Sequence, residues 1–513
     1  MTKDKGLFVF LSVVGVIAPV VTLNPALILT PYINDNRVEE ARNLSLVDSK
    51  LFLNVTSYSG FFTVDKKYNS NVFFWYFPVP EKVVKDTPWI IWLQGGPGAT
   101  SMVGLFDEMG PFEYNNGELK YRNTTWCSEY SMVFIDNPVG AGFSFTDDMD
   151  GLPRDMETYA NHLFSTIQQF LKIFPELKKA PLYIAGSSYA GRYVPALATK
   201  IYEADPNEYN LQGLILGNPA LEREAIMDYT SVFYQWGIID QQGVLAAKPL
   251  QDEYNAAIHN GQSELAVDLR NKLLDKLADI SYQNNMYNAL KDDVNDLELF
   301  VEYITKPEIR EAIHVGDLGF TFSNASIHKS LAPDFLAKVT PKIETLLDHY
   351  RILIYCGQLD MMAPCVGSAA LRRRAWRWRG RSAFLAAPRT PWWQQHRLLG
   401  YVKSGGGLTE VLIRDAGHIA PIDKPAEVKQ LVLYFIQGLQ LQSPPNYQLS
   451  AEDLPEYRDL EAEETSNAGL IVSIFMNVLL VLCVITLVLW FLTWKRKNDA
   501  LFIPLREDIF NVA

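Results

Sequence analysis

Six short runs of the chain are apolar on consecutive residues, and each stops at a turn of small or polar residues. Trp89–Leu93 ends at Gln94-Gly-Gly-Pro-Gly98, Ser131–Ile135 at Asp136-Asn-Pro-Val-Gly140, and Leu182–Ala185 at Gly186-Ser-Ser188. Leu214–Leu216 ends at Gly217-Asn-Pro219, Arg351–Tyr355 at Cys356-Gly-Gln-Leu-Asp360, and Thr409–Ile413 at Arg414-Asp-Ala-Gly-His418. Such runs, with helical stretches between them, predict a mostly parallel sheet covered by helices, because a strand buried on both faces needs no polar alternation. Function in such sheets gathers at the carboxyl ends of the strands. From 221 to 335 the rhythm gives way to helical periodicity, as in Ala266–Leu277, which predicts an insertion able to cap the site.

Two longer apolar runs mark the ends. Leu7–Ala18 follows Lys3 and Lys5, the shape of a secretory signal peptide over 1–22, although no clean small-x-small cleavage site is present. Leu470–Leu492 holds 23 residues without a charge. As a helix it spans about 34 Å, enough for a hydrocarbon core of about 30 Å. Trp490 and Trp494 sit at belt positions, and Lys495-Arg-Lys497 places the following tail in the cytosol. Between body and span, 443–468 carries Pro444, Pro445, Pro455 and seven acids, the composition of a solvated stalk. The expected order is therefore signal peptide 1–22, core 23–220, cap 221–335, core 336–442, stalk 443–468, transmembrane helix 469–494 and cytosolic tail 495–513. That describes a single-pass type I protein of the secretory pathway, lysosomal, endosomal or at the cell surface. Its body would be luminal or extracellular and glycosylated at the sequons of Asn43, Asn54, Asn123 and Asn324.

Composition narrows the function. The 513 residues include 46 basic and 59 acidic side chains, a net charge of −13, which argues against nucleic acid as a partner. The arginine-rich stretch Leu371–Arg381 is expected to be a helix and loop whose two tryptophans pack inward. Four cysteines are too few for a disulfide scaffold; Cys127, Cys356 and Cys365 allow one luminal bridge, and Cys483 lies in the span. No cysteine/histidine cluster has zinc spacing and no phosphate loop follows a strand, so neither metal nor cofactor is expected. A homodimer is left open.

Gly186-Ser-Ser-Tyr-Ala-Gly191 falls between a strand and a helix. A strained nucleophile elbow needs small residues two before and two after the serine, and Ser188 has Gly186 and Ala190 there, whereas Ser187 would have Tyr189. His418 follows a strand-like run and is the candidate base. Asp360 closes another strand and can orient it, with Asp415 as the rival acid. The order Ser188, Asp360, His418 is that of the α/β-hydrolase fold. Backbone N–H groups of Gly96 and Tyr189 are placed to form an oxyanion hole.

Trp92–Gly98, Phe106–Pro111, Phe134–Ser144, Gly186–Pro195, Gly357–Asp360 and Ala416–Pro421 together resemble the serine carboxypeptidases, over about Pro31 to Leu439. The Gln-Gly-Gly-Pro-Gly and Gly-Gln-Leu-Asp forms are most similar to the vitellogenic-like members. The resemblance implies an α/β-hydrolase that removes residues from peptides with a free C-terminus in an acidic lumen. It carries over Ser188, Asp360 and His418 as the triad, and Gly96 and Tyr189 as the oxyanion donors. It also implies that Gln94, Gly95 and Glu108 bind the terminal carboxylate. The chain departs from the pattern in three places. Ser187 stands where the family has a glutamate paired with the residue matching Glu108, Ala99 stands where a cysteine is common, and a membrane span is not typical. Lacking a like-charge partner, Glu108 is expected to have a lower pKa than in a paired site unless burial offsets this. Ser187 also admits a catalytically weak member serving as a binding or protective protein, and the elbow by itself admits an acyltransferase.

Overall fold

The computed structural model describes residues 23–204, 208–221, 228–292, 297–441 and 460–499. The expected signal peptide, most of the stalk and most of the cytosolic tail lie outside them. The chain divides into two compact units, one up to Leu454 and one from Pro455.

Among the described residues the first unit is built on twelve strands. They are β1 (Tyr58–Asp65), β2 (Ser70–Phe77), β3 (Trp89–Leu93), β4 (Phe112–Asn115), β5 (Glu118–Tyr121) and β6 (Ser131–Ile135), then β7 (Leu182–Ser187), β8 (Leu211–Gly217), β9 (Arg351–Gly357), β10 (Arg389–Gln394), β11 (Arg397–Gly405) and β12 (Leu408–Ile413). Ten of them form one sheet in the order β1-β2-β6-β3-β7-β8-β9-β12-β11-β10, and β4 and β5 form a separate hairpin. The stretch from β6 to β12 is parallel throughout. Its six strands are the six apolar runs read from the sequence, so the expected mostly parallel α/β sheet is borne out. The antiparallel flanks β1–β2 and β10–β11 were not among those runs.

Neighbouring residues of β3 alternate between two cores, as pleating requires: Ile91 and Leu93 enter one, Ile90 and Trp92 the other. Helices Met156–Ile173 and Ala190–Glu203 cover the first face, and helix Pro425–Gln437 covers the second. Segment 221–335 divides its loyalties. Helices Tyr229–Gln235, Gln241–His259 and Ser263–Ser281 make a third cluster of their own, joined by Leu336 and Met361. Phe300, Ile304, Ile309 and Ile313 instead pack into the second sheet core. Trp376 and Trp378 of the arginine-rich stretch are buried, and Arg372 and Arg373 both bond to Glu410. Cys356 and Cys365 form a disulfide, leaving Cys127 a buried thiol.

In the second unit a helix runs from Leu460 to Asp499, starting ahead of the expected 469. Its part Met476–Lys497 is long and apolar enough to cross a membrane, by length and composition.

Candidate active site

Ser188 occupies the turn between β7 and helix Ala190–Glu203, with a left-handed φ of 56°. That conformation is strained for a residue with a Cβ and persists only when neighbours over-determine it. Here the Ser188 N–H donates to Gly217 O at 2.9 Å, and the Ser188 carbonyl accepts from Gly191 N and Ala220 N, each at 2.9 Å. The small flanks are required sterically. A Cβ on Gly186 would lie 2.6 Å from Leu93 O and 2.7 Å from the Ala190 Cβ, and one on Gly191 would lie 2.8 Å from the Pro219 Cβ. The helix behind the turn is tied to the segment Pro333–Leu336 by a buried ion pair, Arg192 Nε to Asp334 Oδ2 at 3.1 Å. The Tyr189 hydroxyl donates to the same oxygen at 2.8 Å.

His418 follows β12 and Asp360 follows β9, adjacent parallel strands, so both side chains arrive at the carboxyl edge of the sheet. His418 Nδ1 donates to Asp360 Oδ2 at 2.7 Å. Asn218 Nδ2 donates to the same oxygen at 2.7 Å, and the N–H groups of Met362 and Ala363 donate to Oδ1 at 2.8 and 2.9 Å. The rival Asp415 faces outward, 3.6 Å from Lys424 Nζ. The histidine loop is braced as well: His418 N donates to Tyr287 O at 2.6 Å, and Asp423 accepts from Gly417 N, Asn288 Nδ2 and Lys291 Nζ. Ser188 and His418 line one cavity of about 150 Å³ together with Gly96 and Tyr189. Neither the Gly96 nor the Tyr189 N–H has an acceptor among the described residues. A Cβ on Gly95 would lie 2.8 Å from both the Ser188 Cβ and Tyr189 N, so the loop after β3 abuts the elbow.

The remaining candidates form a buried polar group behind that loop. Gln94 Oε1 accepts from Trp92 Nε1 and Gln94 Nε2 donates to Glu108 Oε1, both at 2.9 Å, while Gln94 N donates to Ser101 Oγ at 3.1 Å. Glu108 is 1% exposed, and its Oε2 has no partner among the described residues. Burial pushes its pKa up to about 7, against the smaller opposing effects of the Gln94 hydrogen bond, His418 and Arg122. Burial therefore supplies the rise that the missing acid partner would have given. Ser187 is buried at the end of β7. Asn137, in the turn after β6, is also buried, and neither of its side-chain polar atoms has a partner among the described residues.

Sequence reasoning passed over Asn218, although Gly217-Asn-Pro219 was visible as a turn at a strand end. It also missed Asp423 and Asn288, which have no local signature. Of the sequons, Asn43, Asn54 and Asn123 are exposed. Asn324 caps a helix through Ser326 N, and its Nδ2 donates to Gly140 O at 2.9 Å. Among the described residues no three His, Cys, Asp or Glu side chains converge as a metal site would need.

Comparison with known proteins accords with this geometry. Residues 47–438 match the family model described as serine carboxypeptidase. Among curated proteins the chain is 37% identical over 425 residues to the venom serine carboxypeptidase of Apis mellifera, covering 80% of this chain and 90% of that one. It is 38% identical over 436 residues to the probable serine carboxypeptidase CPVL of Homo sapiens, with the same shares of 80% and 90%. It is 37% identical over 428 residues to the vitellogenic carboxypeptidase of Aedes aegypti, covering 80% and 89%. The fold matches a prohormone-processing carboxypeptidase of Saccharomyces cerevisiae with a TM-score of 0.68 at 22% identity, over 79% of this chain and 98% of that one. The chain thus belongs to the serine carboxypeptidase family and is a serine-type peptide hydrolase of the α/β-hydrolase fold.

Proposed function

We propose that the protein releases residues from the free C-termini of peptides through a Ser188–His418–Asp360 triad and an acyl-enzyme. His418 takes the Ser188 proton as the hydroxyl oxygen attacks the last peptide carbonyl. The N–H groups of Gly96 and Tyr189 receive the developing oxyanion. His418 then gives its proton to the leaving amine, and a water activated by the same imidazole releases the acyl group. Gln94, the Gly95 N–H and Glu108 hold the leaving residue's carboxylate, with Ser187 beside them. Glu108 is neutral below about pH 7 and can then donate a hydrogen bond where an ionised acid would repel.

The observation that carries this reading is the 2.7 Å His418–Asp360 bond behind a cavity that Ser188 shares with His418. The test uses the full chain in detergent, with a serine-reactive fluorophosphonate and with blocked dipeptides from pH 4 to 8. Labelling of Ser188 and release of free amino acid are expected. A chain that neither labels nor cleaves is the binding or protective protein that Ser187 left open. Acyl transfer to an added alcohol in preference to water would make it an acyltransferase. The same proposal puts the body in the lumen and passes Met476–Lys497 once through the membrane, with glycans on Asn43, Asn54 and Asn123. Glycosidase should then shift the protein's mobility, and protease outside sealed microsomes should leave the body intact.

A further inference from the structure

The cavity beside Ser188 has a charged wall. Val267, Arg270 and Asn271 enter it from helix Ser263–Ser281, His328 comes from a second element, and Leu331 and Phe335 make an apolar side. Arg270 uses two of its N–H donors, Nε to the Tyr229 hydroxyl at 2.7 Å and Nη2 to Met362 O at 2.8 Å. Its other three have no acceptor, and no carboxylate pairs with it, among the described residues. The acid that acts on it from nearby is Asp360, whose oxygens are already engaged by four donors. A guanidinium on a cavity wall without its own counter-ion is costly, and a planar fork fixed by two bonds is ready to take a carboxylate.

Position says which carboxylate. The cavity is lined by Gly96, Ser188 and Tyr189, but neither Gln94 nor Glu108 lines it. If those two hold the terminal carboxylate, the cavity lies on the other side of the scissile bond, where the retained acyl residue puts its side chain. Burial, and then the charge of Arg270, lower the His328 pKa, which disfavours a second positive charge on this wall.

We propose that Arg270 makes this cavity a subsite for an acidic side chain, so that the preferred peptides carry Glu or Asp as the penultimate residue. The proposal rests on the carboxypeptidase reading above and names its substrate class. Glutamate reaches the guanidinium past the apolar wall of Leu331 and Phe335, which packs against its methylenes.

The experiment measures kcat/KM of the full chain in detergent on blocked dipeptides of one C-terminal residue, with Glu, Gln, Leu or Lys as the penultimate residue. Glu and Gln are nearly isosteric, so their ratio isolates the charge. Glu is expected to exceed Gln by about tenfold or more, with Lys slowest. Arg270→Gln is expected to bring the Glu to Gln ratio close to one. A purely structural role for Arg270 would lower both rates and leave the ratio intact. Native protein that cleaves Gln as fast as Glu overturns the subsite whether or not the variant folds. Failure to cleave any of the four peptides, with no fluorophosphonate labelling, overturns the carboxypeptidase reading and the subsite with it.

Discussion

Among the described residues Asp360 accepts four hydrogen bonds, whereas Glu108, equally buried, accepts one and keeps an oxygen with no partner. Both carboxyls belong to the same candidate site. The difference follows from what each must meet. In the proposed mechanism Asp360 serves the same imidazole throughout a turnover, so its donors can be built in permanently. Glu108 is proposed to meet an incoming carboxylate, and donors that satisfied it in advance would compete with that ligand. Low dielectric then favours its neutral form. A group saturated by the fold holds geometry, and a group left short of partners is available for recognition.

The largest break in this contrast is at the elbow. Ser188→Ala should lower kcat by about 10⁴ to 10⁶, with a melting temperature close to that of the native protein. Retention of a tenth of native kcat would remove Ser188 from its proposed role. Next comes the saturated side. Asn218→Ala removes the Nδ2 donor to Asp360 and the Oδ1 acceptor of Gly357 N, seen at 2.7 and 3.2 Å. Losing a buried bond to a charged group costs about 1.5–3 kcal/mol, so kcat should fall by about 10- to 100-fold with KM little changed. A change confined to KM would mean that Asn218 touches substrate instead.

On the unsaturated side the effect depends on pH. Glu108 titrates at about 7, so kcat/KM on free-acid peptides should fall by up to about tenfold per pH unit above that value. Amide-blocked peptides should not show the fall, and Glu108→Gln should abolish it. The sign for stability follows from the same shift. A buried acid whose folded pKa is raised favours folding fully below its unfolded value near 4.5. That advantage is lost as pH rises to about 7, by about 3 kcal/mol in all. Glu108→Gln should therefore flatten the melting temperature over that window, and parallel curves for the two proteins would contradict the burial argument. The smallest effect is expected from Ser187→Glu. With position 187 paired to Glu108 as in the proposed carboxylate site, a second acid there should raise one of the two pKa values further and alter KM for free acids by a few-fold, leaving amides nearly unaffected. Superimposed pH profiles for the two proteins would take Ser187 out of carboxylate recognition.

The central strands were legible because burial on both faces writes an uninterrupted apolar run, and five of the six runs end at a turn that carries a residue of the candidate site. The flanking strands were not. In β10, Arg389 and Gln394 are exposed while Pro391 and Trp392 are buried, so no run stands out. The elbow was legible for a steric reason, since only small residues clear Leu93 O and the Pro219 Cβ. Asn218 was not singled out, because one asparagine in a turn looks like any other until Asp360 arrives beside it.

Short-range stereochemistry and long apolar runs are thus what the sequence determined by itself: the parallel sheet, the elbow at Ser188, the order of the three site residues and the apolar segment near the C-terminus. Tertiary structure alone decided which acid meets His418. Asp415 is three residues away in sequence but points at Lys424, and Asp360 is 58 residues away but one strand over. It also decided that Glu108 is buried deeply enough to titrate near neutrality without a second acid, and that a helix from the insertion brings Arg270 to the cavity beside Ser188. Each depends on residues that meet only after the chain has closed on itself, and a pKa or a subsite is a property of that enclosure, not of the residue that bears it.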